Sequence, residues 1–456
     1  MKLVLLWTDI LVWLLMLVLF LWSWMILRSP QMKAQWHTIF KSSIAMASST
    51  VLLFYLLFTL LDSVHLRLAL PHEGQKSQEV VYGLETVSLL DLIFEHNIQN
   101  TERTYSAPFA TVEYVSSIVV DENGTTKQVH LPLKHVSAED NVVQESLVAL
   151  AVGLIVSVSL VMLHIWWRER SRFVLAWKET WQGESDLPWR TAYVTFIVLV
   201  MAFTWLYMLS DSYHVLGTDK VGGDVLYQSF KSIRTGVLIG ILTTLIMLPV
   251  AVILGVSAGL FGGWIDDVIQ YLYTTLSSIP GVLLIAAGVL SMQMMMENHP
   301  SWFESTLERS DLRLLFLILI LGVTSWTGLC RLLRAETLKI SQMEFVTAAK
   351  VFGVSKFTII RRHIVPNLMH IILISVVLDF SGLVLAEAVL SYVGVGVDPT
   401  MHSWGNMINQ ARLEMARDPM VWWSLFSAFV FMFILVLAAN LFSDRIQTVL
   451  DPRNKV

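Results

Sequence analysis

The chain of 456 residues is 55% hydrophobic and only 15% charged, and its mean hydropathy is +0.63. Because soluble domains carry about 25% charged residues, this composition excludes an ordinary soluble protein and indicates a membrane protein. The single cysteine, Cys330, excludes an internal disulfide, and the net charge of −5 conceals an uneven distribution along the chain.

Nine hydrophobic runs are long enough to cross a bilayer, which requires about 20 apolar residues. They are predicted at 3–27, 43–62, 147–166, 191–210, 234–262, 268–290, 312–335, 370–393 and 421–443. No small-residue cleavage site follows the first run, so we predict a retained anchor and not a removed signal peptide. The predicted fold class is an all-α polytopic membrane protein with about nine transmembrane helices.

The charges in the loops predict the orientation of these spans. Short loops rich in Lys and Arg remain in the cytoplasm. Loops 28–42, 167–190 and 336–363 are basic and fall on one side when nine spans are counted, whereas segment 63–146, on the other side, is rich in Asp and Glu. We therefore predict an external amino terminus and a cytoplasmic carboxyl terminus.

The chain divides into four predicted parts. They are two N-terminal transmembrane helices (1–62), an external, periplasmic insertion (63–146), two further transmembrane helices (147–210) and a C-terminal part with every recognisable motif (211–456). Within the insertion, Thr111–Val120 and Lys127–Leu133 are rich in Val, Ile and Thr and flank Asn123-Gly124, a pattern typical of a β-hairpin. We predict a small β-containing external domain, with an irregular loop as the alternative.

Sequence motifs for catalysis and nucleotide binding are absent. The chain has no G-x-x-x-x-G-K-[ST] P-loop, no H-E-x-x-H and no pair of cysteines. Gly255–Gly259 reads G-x-S-x-G but lies inside a predicted span, which favours small-residue helix packing over a nucleophile. A possible soft-metal group comprises Met292, Met294, Met295, Met296 and His299. Because Met is frequent in this chain, an ordinary span end is favoured, and we predict no catalytic residue, metal or cofactor.

The segment 341–367, SQMEFVTAAKVFGVSKFTIIRRHIVPN, predicts a pair of short helices between two hydrophobic spans. Ser341 and Glu344 have the spacing of a capping box, so the first helix is predicted to start there. An apolar stripe follows at i, i+3, i+4 and i+7, comprising Phe345, Ala348, Ala349 and Phe352.

A glycine turn is predicted between the two helices. Gly353 can end the first helix in a left-handed conformation, and Ser355 can cap the second. The second helix carries on one side Phe357, Ile360 and Ile364. Pro366 is expected to break the chain before the next span. A helix pair with an apolar stripe and a charged back, held at the membrane surface, is expected to dock into a groove on another protein.

This segment resembles the EAA loop of ABC-transporter permeases, which couples the membrane subunit to the ATPase. The resemblance lies in A-A-x-x-x-G and a later H-x-x-P-N, here Ala348, Ala349, Gly353, His363, Pro366 and Asn367. Thr347 stands where the family has the glutamate that names the loop. The resemblance implies that these residues, with Glu344, Phe345 and Phe352, contact an ATPase.

Further motifs in the family's order extend the resemblance over about 211–456. His214–Val225 is similar to the H-x-L-G-T-D-x-x-G-R-D-V signature of C-type permease subunits in the oligopeptide/dipeptide uptake family, with Gly223 in place of the usual Arg. The signature residues, with a later Ser-Trp-Gly, are Gly217, Thr218, Asp219, Gly222, Asp224, Ser403, Trp404 and Gly405. Pro280 stands where relatives have a proline and is expected to kink the sixth span.

The resemblance implies the permease subunit of a type I ABC importer that takes up di- or oligopeptides across the bacterial cytoplasmic membrane. The implied partners are a homologous but different permease subunit, two P-loop ATPase subunits and a periplasmic or lipid-anchored binding protein, with membrane lipid around them and no nucleic acid. Uptake of nickel chelates or antimicrobial peptides is an alternative within the transporters. A membrane-anchored receptor that binds ligand through 63–146, and a membrane enzyme, are alternatives from other classes.

Two acids fall inside the eighth predicted span, where an ionisable group costs about 2.5–3.5 kcal/mol on insertion scales. Asp379 and Glu387 point about 80° apart around the helix. They are predicted either to line the translocation pathway or to form structural hydrogen bonds with a neighbouring helix. In the enzyme alternative, the same two acids would carry the chemistry.

Overall fold

The computed structural model describes residues 2–69, 82–120, 126–136, 141–170, 173–303 and 305–450. Nine helices in these ranges are long and apolar enough to cross a membrane, so the all-α polytopic class and the predicted number of spans are confirmed. The structure divides into two compact units, residues 1–237 with 399–438 and residues 238–398 with 439–456. The Asn123-Gly124 turn lies outside the described residues.

The first unit contains paired transmembrane helices and short connecting helices. They are α1 (Trp7–Arg28), α2 (Pro30–Phe40), α3 (Ser43–Asp62), α4 (Leu89–Ile93), α5 (Glu95–Gln99), α6 (Val142–Arg168), α7 (Phe173–Gln182) and α8 (Trp189–Leu209). Helix α6 packs along α8, and α3 packs on the same helix. The apolar sequences of these helices, which exceed one helical face, explain why much of their surface is left for lipid.

Two small antiparallel sheets belong to the same unit. The first joins β1 (Lys2–Val4), β2 (His65–Ala69) and β3 (Tyr82–Ser88), and the second joins β4 (Ser117–Val120) and β5 (Thr126–Val129). In the second sheet Ser117 pairs with Val129, so the hairpin predicted between the two Val- and Thr-rich runs is confirmed, although its strands are shorter. The segment between α3 and α6 therefore has regular structure where it is described.

The remaining helices carry the C-terminal motifs. They are α9 (Val225–Phe261), α10 (Gly263–Ser278), α11 (Gly281–Asn298), α12 (Thr306–Ser325), α13 (Thr327–Ser341), α14 (Glu344–Val351), α15 (Lys356–Ile359), α16 (Val365–Val393), α17 (Trp404–Glu414) and α18 (Trp423–Leu450). In the second unit α11 packs on α12, and α13 packs on both α10 and α16.

Pro280 divides the sixth predicted span into two helices. Helix α10 ends at Ser278, and Ile279 and Pro280 have extended ψ angles of 131° and 121° before α11 begins. The prediction of one kinked helix over 268–290 was wrong, because a residue before proline is driven out of the helical region. The segment long enough to span is α11, Gly281–Asn298.

The Gly255–Gly259 motif is a contact surface between α9 and α13. A Cβ atom on Gly255 would lie 2.7 Å from the carbonyl oxygen of Cys330, and one on Gly259 would lie 2.5 Å from Cβ of Thr337. Small residues of this kind let two helix backbones approach closely. The interpretation of G-x-S-x-G as helix packing is therefore confirmed.

We expect Gly259→Leu to destabilise the second unit by about 1–3 kcal/mol, because the added side chain forces α9 away from Thr337. Gly328→Leu is the matched control, since nothing lies within 4 Å of the Cβ position of that helical glycine. The measurement is the thermal unfolding midpoint in detergent. Equal midpoints for the two variants would contradict the close packing of α9 on α13.

Candidate functional site

Segment 341–367 forms the predicted pair of short helices. Gly353, between α14 and α15, has φ +73°, the left-handed conformation predicted for it. Nothing lies within 4 Å of its Cβ position, so a side chain there meets backbone strain and no steric clash. Ser355 caps α15 as predicted, since its side chain accepts a hydrogen bond from the Thr358 amide at 3.4 Å.

The start of α14 differs from the predicted capping box. Ser341 is the last residue of α13, and its hydroxyl donates to the carbonyl of Leu338 at 2.8 Å. Helix α14 starts after Met343, which has extended backbone angles and makes no side-chain cap. The capping-box prediction was wrong because the serine hydroxyl bonds back to the helix that it ends. Lys350 of α14 instead joins this helix to α13 by donating to the Ser341 carbonyl at 3.2 Å.

The predicted apolar stripe of α14 is divided between two sides of the helix. Val346 and Ala349 are buried and belong to the hydrophobic core of the second unit, together with Ile359. Phe345 is 42% exposed and Phe352 is 85% exposed. Ala349 therefore attaches the helix to its own chain and is not available for docking, which corrects the prediction of one continuous docking stripe.

The outward side of the helix pair is apolar with a basic border. Its apolar residues, each at least 73% exposed, are Val351, Phe352 and Phe357. The exposed residues around them are Glu344, Thr347, Ala348, Lys350, Lys356, Arg361 and Arg362. Exposed apolar surface bordered by polar residues is typical of a protein interaction site. We call this surface the loop face. It consists of the exposed residues between Phe345 and Phe357, which leaves out Val346, Ala349 and Val354.

The loop continues into α16 without the predicted break at Pro366. Ile360–Ile364 forms a π-helical turn, and Pro366 occupies the second position of α16. The prediction was wrong because the π turn, in which the Val365 amide donates to the Ile360 carbonyl, changes the hydrogen-bond register directly before Pro366 and lets the helix continue past it. The Asn367 side-chain amide donates to the His363 carbonyl at 2.6 Å. The helix pair is thus continuous with a membrane span.

An ion pair fixes α13, the helix that precedes the loop. Arg334 forms two bonds to Asp266 of α10, and the Nη2–Oδ2 distance is 2.7 Å. This hydrogen-bonded guanidinium lowers the pKa of the Asp266 carboxyl below its usual value. Arg331 lies over the Tyr273 ring at 5.2 Å. The helix that precedes the loop is therefore attached to α10.

The two acids of α16 have different surroundings. Glu387 is 2% exposed and accepts a hydrogen bond from the Ser391 hydroxyl at 2.8 Å. Asp379 is half-buried and makes no hydrogen bond or ion pair to any residue that the structure describes. The Glu387 bond shown here lies within α16 and does not reach a neighbouring helix, and Asp379 is left available for other contacts.

The His214–Val225 signature is a loop bound to the insertion. Gly217 and Gly222 have φ of +71° and +77°, and a Cβ on Gly222 would lie 1.8 Å from the Glu102 carbonyl oxygen. The Thr218 hydroxyl donates to the Thr104 carbonyl at 2.9 Å and accepts from the Ser106 amide at 2.6 Å. The glycines are needed for close backbone approach, and the signature and the insertion form one folded unit.

Asp219 is satisfied without the arginine that Gly223 replaces. Its carboxylate accepts from the amides of Val221 and Gly223 at 2.9 and 2.8 Å and from the side chain of Gln228 at 2.6 Å. These three donors fill most of the accepting capacity of a carboxylate. The Asp219 carboxylate is therefore satisfied by its own loop and by α9, without a side chain at position 223.

Asp224 pairs with His214, whose Nδ1 lies 2.9 Å from the carboxylate. Burial disfavours the charged imidazolium, but the hydrogen bond and charge of Asp224 outweigh burial and raise the pKa of His214. Glu102 adds a second negative charge, 3.7 Å from Nε2. The signature thus includes a buried, pH-sensitive ion pair.

The Ser403-Trp404-Gly405 motif starts α17 and attaches it to α9. The Ser403 hydroxyl accepts from the Asn406 amide at 3.0 Å as a helix cap. Trp404 is 1% exposed, and its indole N–H donates to the Ser229 carbonyl at 3.2 Å. A Cβ on Gly236 would lie 2.6 Å from the Trp404 ring. This motif is structural.

A buried charge cluster near the start of α9 is absent from the sequence-based predictions. Asp9 is fully buried, 2.7 Å from Arg234 and 2.8 Å from His65. Asp62 lies 2.8 Å from Lys231, which also pairs with Asp91. The available signal was a Lys and an Arg three residues apart at the start of a span. Acids inside membrane segments usually pair in this way.

The sequence is similar to known membrane transport proteins. Residues 251–456 match the family described as "Binding-protein-dependent transport system inner membrane component". The chain is 31% identical over 240 residues to the dipeptide transport system permease protein DppC of Bacillus subtilis, covering 53% of this chain and 69% of that protein. It is also 31% identical to the oligopeptide permease OppC of Haemophilus influenzae (54% and 72% covered) and 30% identical to the glutathione permease GsiD of Pectobacterium atrosepticum (54% and 74% covered).

We expect Asp9→Asn to destabilise the first unit by about 3–5 kcal/mol, because it leaves the Arg234 charge buried without its anion. The double variant Asp9→Leu/Arg234→Met should recover much of this loss, since it removes both charges. Thermal unfolding of both variants in detergent provides the test. A double variant no more stable than Asp9→Asn would contradict the pairing.

We expect the His214–Asp224 pair to make stability depend on pH. Because the folded pKa is raised above the ordinary value of 6.5, the stabilisation is complete below pH 6.5 and is lost as pH rises through the folded pKa. His214→Asn should abolish this part of the pH dependence. The measurement is the thermal unfolding midpoint of the wild type and of His214→Asn between pH 5.5 and 9. The two midpoints should converge at high pH. A constant difference between them over this pH range would contradict the expectation.

Proposed function

Because this chain belongs to the family of binding-protein-dependent transport system inner membrane components, as an ABC permease subunit of the oligopeptide/dipeptide type, we propose that it forms half of a peptide translocation pathway. It is a multi-pass inner membrane protein with a type I ABC importer permease fold. The relatives are permease subunits of transporters, which agrees with a transport and not an enzymatic role.

The observation that carries the proposal is the loop face and its connection to α16. Phe352 and Phe357 are exposed on a surface that the described residues do not cover. An aromatic side chain that enters a groove on an ATPase would bury this area, and the nearby Lys and Arg side chains would favour an acidic rim. We infer that the loop face binds a separate ATPase chain, since this sequence has no P-loop.

Rigid connections support a lever mechanism for coupling. Val346 and Ala349 anchor α14 in the core, and the π turn joins α15 to α16 without a flexible linker. When ATP closes the ATPase dimer, the loop face moves with its groove and tilts α16 between inward- and outward-facing states. Such a change requires ATP and the loaded binding protein to stabilise the two states differently. No bond in the substrate is broken.

The proposed complex contains this chain, a different homologous permease, two P-loop ATPase subunits and a periplasmic or lipid-anchored binding protein. Docking at 341–367 requires that segment to face the cytoplasm. The basic loops then place the carboxyl terminus inside and the insertion, with its exposed β4–β5 hairpin, outside. Di- and oligopeptides are the proposed substrates, because relatives are named for dipeptide, oligopeptide and glutathione transport.

We expect Gly353→Asp to weaken ATPase association and to lower uptake by about tenfold or more, because an interface depends on a few well-placed aromatic contacts. The strained turn would misplace Phe352, and the carboxylate would lie beside the loop face. Phe352→Ser should act in the same way with little cost to folding, since that side chain is 85% exposed. Thr347→Ala should be mild because the family's glutamate is already absent there.

Gly183→Asp is the matched control, since Gly183 has φ +78° and open space around its Cβ position but lies outside the loop. The measurements are co-purification of the ATPase chains and peptide uptake in proteoliposomes. Full ATPase association and full uptake in Gly353→Asp and Phe352→Ser would show that the loop is not the coupling element.

A further inference from the structure

We propose that Asp379 binds the positively charged group of the transported substrate, such as a peptide α-ammonium, during its passage. The inference rests on the proposed function, because it requires a pathway for peptides beside α16. It goes further because it pairs the Asp379 carboxylate with the ammonium group of the substrate.

Asp379 is the central residue of α16, Val365–Val393. At a rise of about 1.5 Å per residue, it lies about 21 Å from either end of the helix. That position falls within the hydrocarbon depth of a bilayer if the helix spans it. A carboxylate at this depth is costly unless water or a cation reaches it.

Three other acids in membrane segments of this chain have partners that the structure shows. Asp9 pairs with Arg234, Asp62 pairs with Lys231, and Glu387 accepts from Ser391. Asp379 has neither a cation nor a hydrogen-bond donor among the residues described. A cation or a water molecule that reaches this carboxylate would therefore come from outside the described residues.

The helix surface beside Asp379 has room for such a partner. Gly382, one turn towards the C-terminus, has nothing within 4 Å of its Cβ position. Leu378 is 57% exposed, and Ser375 on the preceding turn is also partly accessible. Small and partly open positions on both sides of a carboxylate leave space for a ligand where a large side chain would close it. Lipid alone would not neutralise the charge.

The chemistry of the proposed substrates supplies the missing cation. Dipeptides, oligopeptides and glutathione, for which the relatives are named, share a free ammonium group at neutral pH. A carboxylate and an ammonium form a charge-assisted hydrogen bond, which is stronger than a neutral one. Because the site offers one carboxylate, we expect it to select for the ammonium and to tolerate varied side chains.

The test compares trialanine with N-acetyl-trialanine, which lacks the ammonium, in the complete transporter with its binding protein and ATPases in proteoliposomes. We expect Asp379→Asn to lower uptake of trialanine about tenfold or more, in keeping with loss of a hydrogen bond between charged groups. Uptake of the acetylated peptide should stay the same, so that the preference for a free amine disappears. Asp379→Glu should retain the preference, and Glu387→Gln should change uptake of both peptides equally.

Three results would overturn the assignment. An unchanged ratio of the two uptake rates in Asp379→Asn would show that Asp379 does not contact the ammonium. Loss of the second permease from purified Asp379→Asn complexes would show that the carboxylate pairs with that subunit. A wild-type complex that binds its ATPases but imports neither peptide would remove the peptide substrate, and this inference with it.

Failure of the inference is distinguishable from failure of the coupling proposal. A Gly353→Asp complex should lose uptake of both peptides together, because coupling does not depend on the ammonium. An Asp379→Asn complex with wild-type selectivity and ATP-driven uptake would leave the permease function intact and remove only the role of Asp379.

Discussion

Lys231 and Arg234 lie near the start of α9, beside the buried Phe230 and Ile233, where an unpaired cation would be costly. Their partners come from α1, from the end of α3 and from α4. Because either charge alone would be buried without compensation, each side of the cluster requires the other. Helices α1, α3 and α4 are thus fixed to α9 by charge.

Local sequence signals predicted the features that local chemistry determines. Hydropathy identified nine spans, two runs rich in Val, Ile and Thr identified the hairpin, and Gly353 was assigned its left-handed turn. The failures at Ser341 and Pro366 share one cause. Serine can cap the next helix or bond back to the last one, and proline can break a helix or follow a π turn that lets the helix continue. Sequence shows the residue, but neighbouring turns decide which of its options is used.

The sequence predicted where the candidate site lies along the chain, but it did not predict which side of α14 faces the protein core. Periodicity placed Phe345, Ala349 and Phe352 on one stripe, but it could not show that the core lies close enough to bury Ala349 and leave Phe352 exposed. The charge cluster was missed for a related reason, since Asp9 and Arg234 are far apart in sequence and only the tertiary fold brings them together. Local sequence patterns do not predict contacts between residues that are far apart in the sequence.

The packing around Asp219 limits which side chains position 223 can carry. A side chain at position 223 would begin 3.1 Å from Nε2 of Gln228 and 3.3 Å from the Asp219 carboxylate. Gln228 and an arginine at 223 would thus compete for the same oxygen atoms. A side chain introduced at position 223 therefore requires Gln228 to shift, and the effect of such a substitution is expected to depend on which residue stands at position 228.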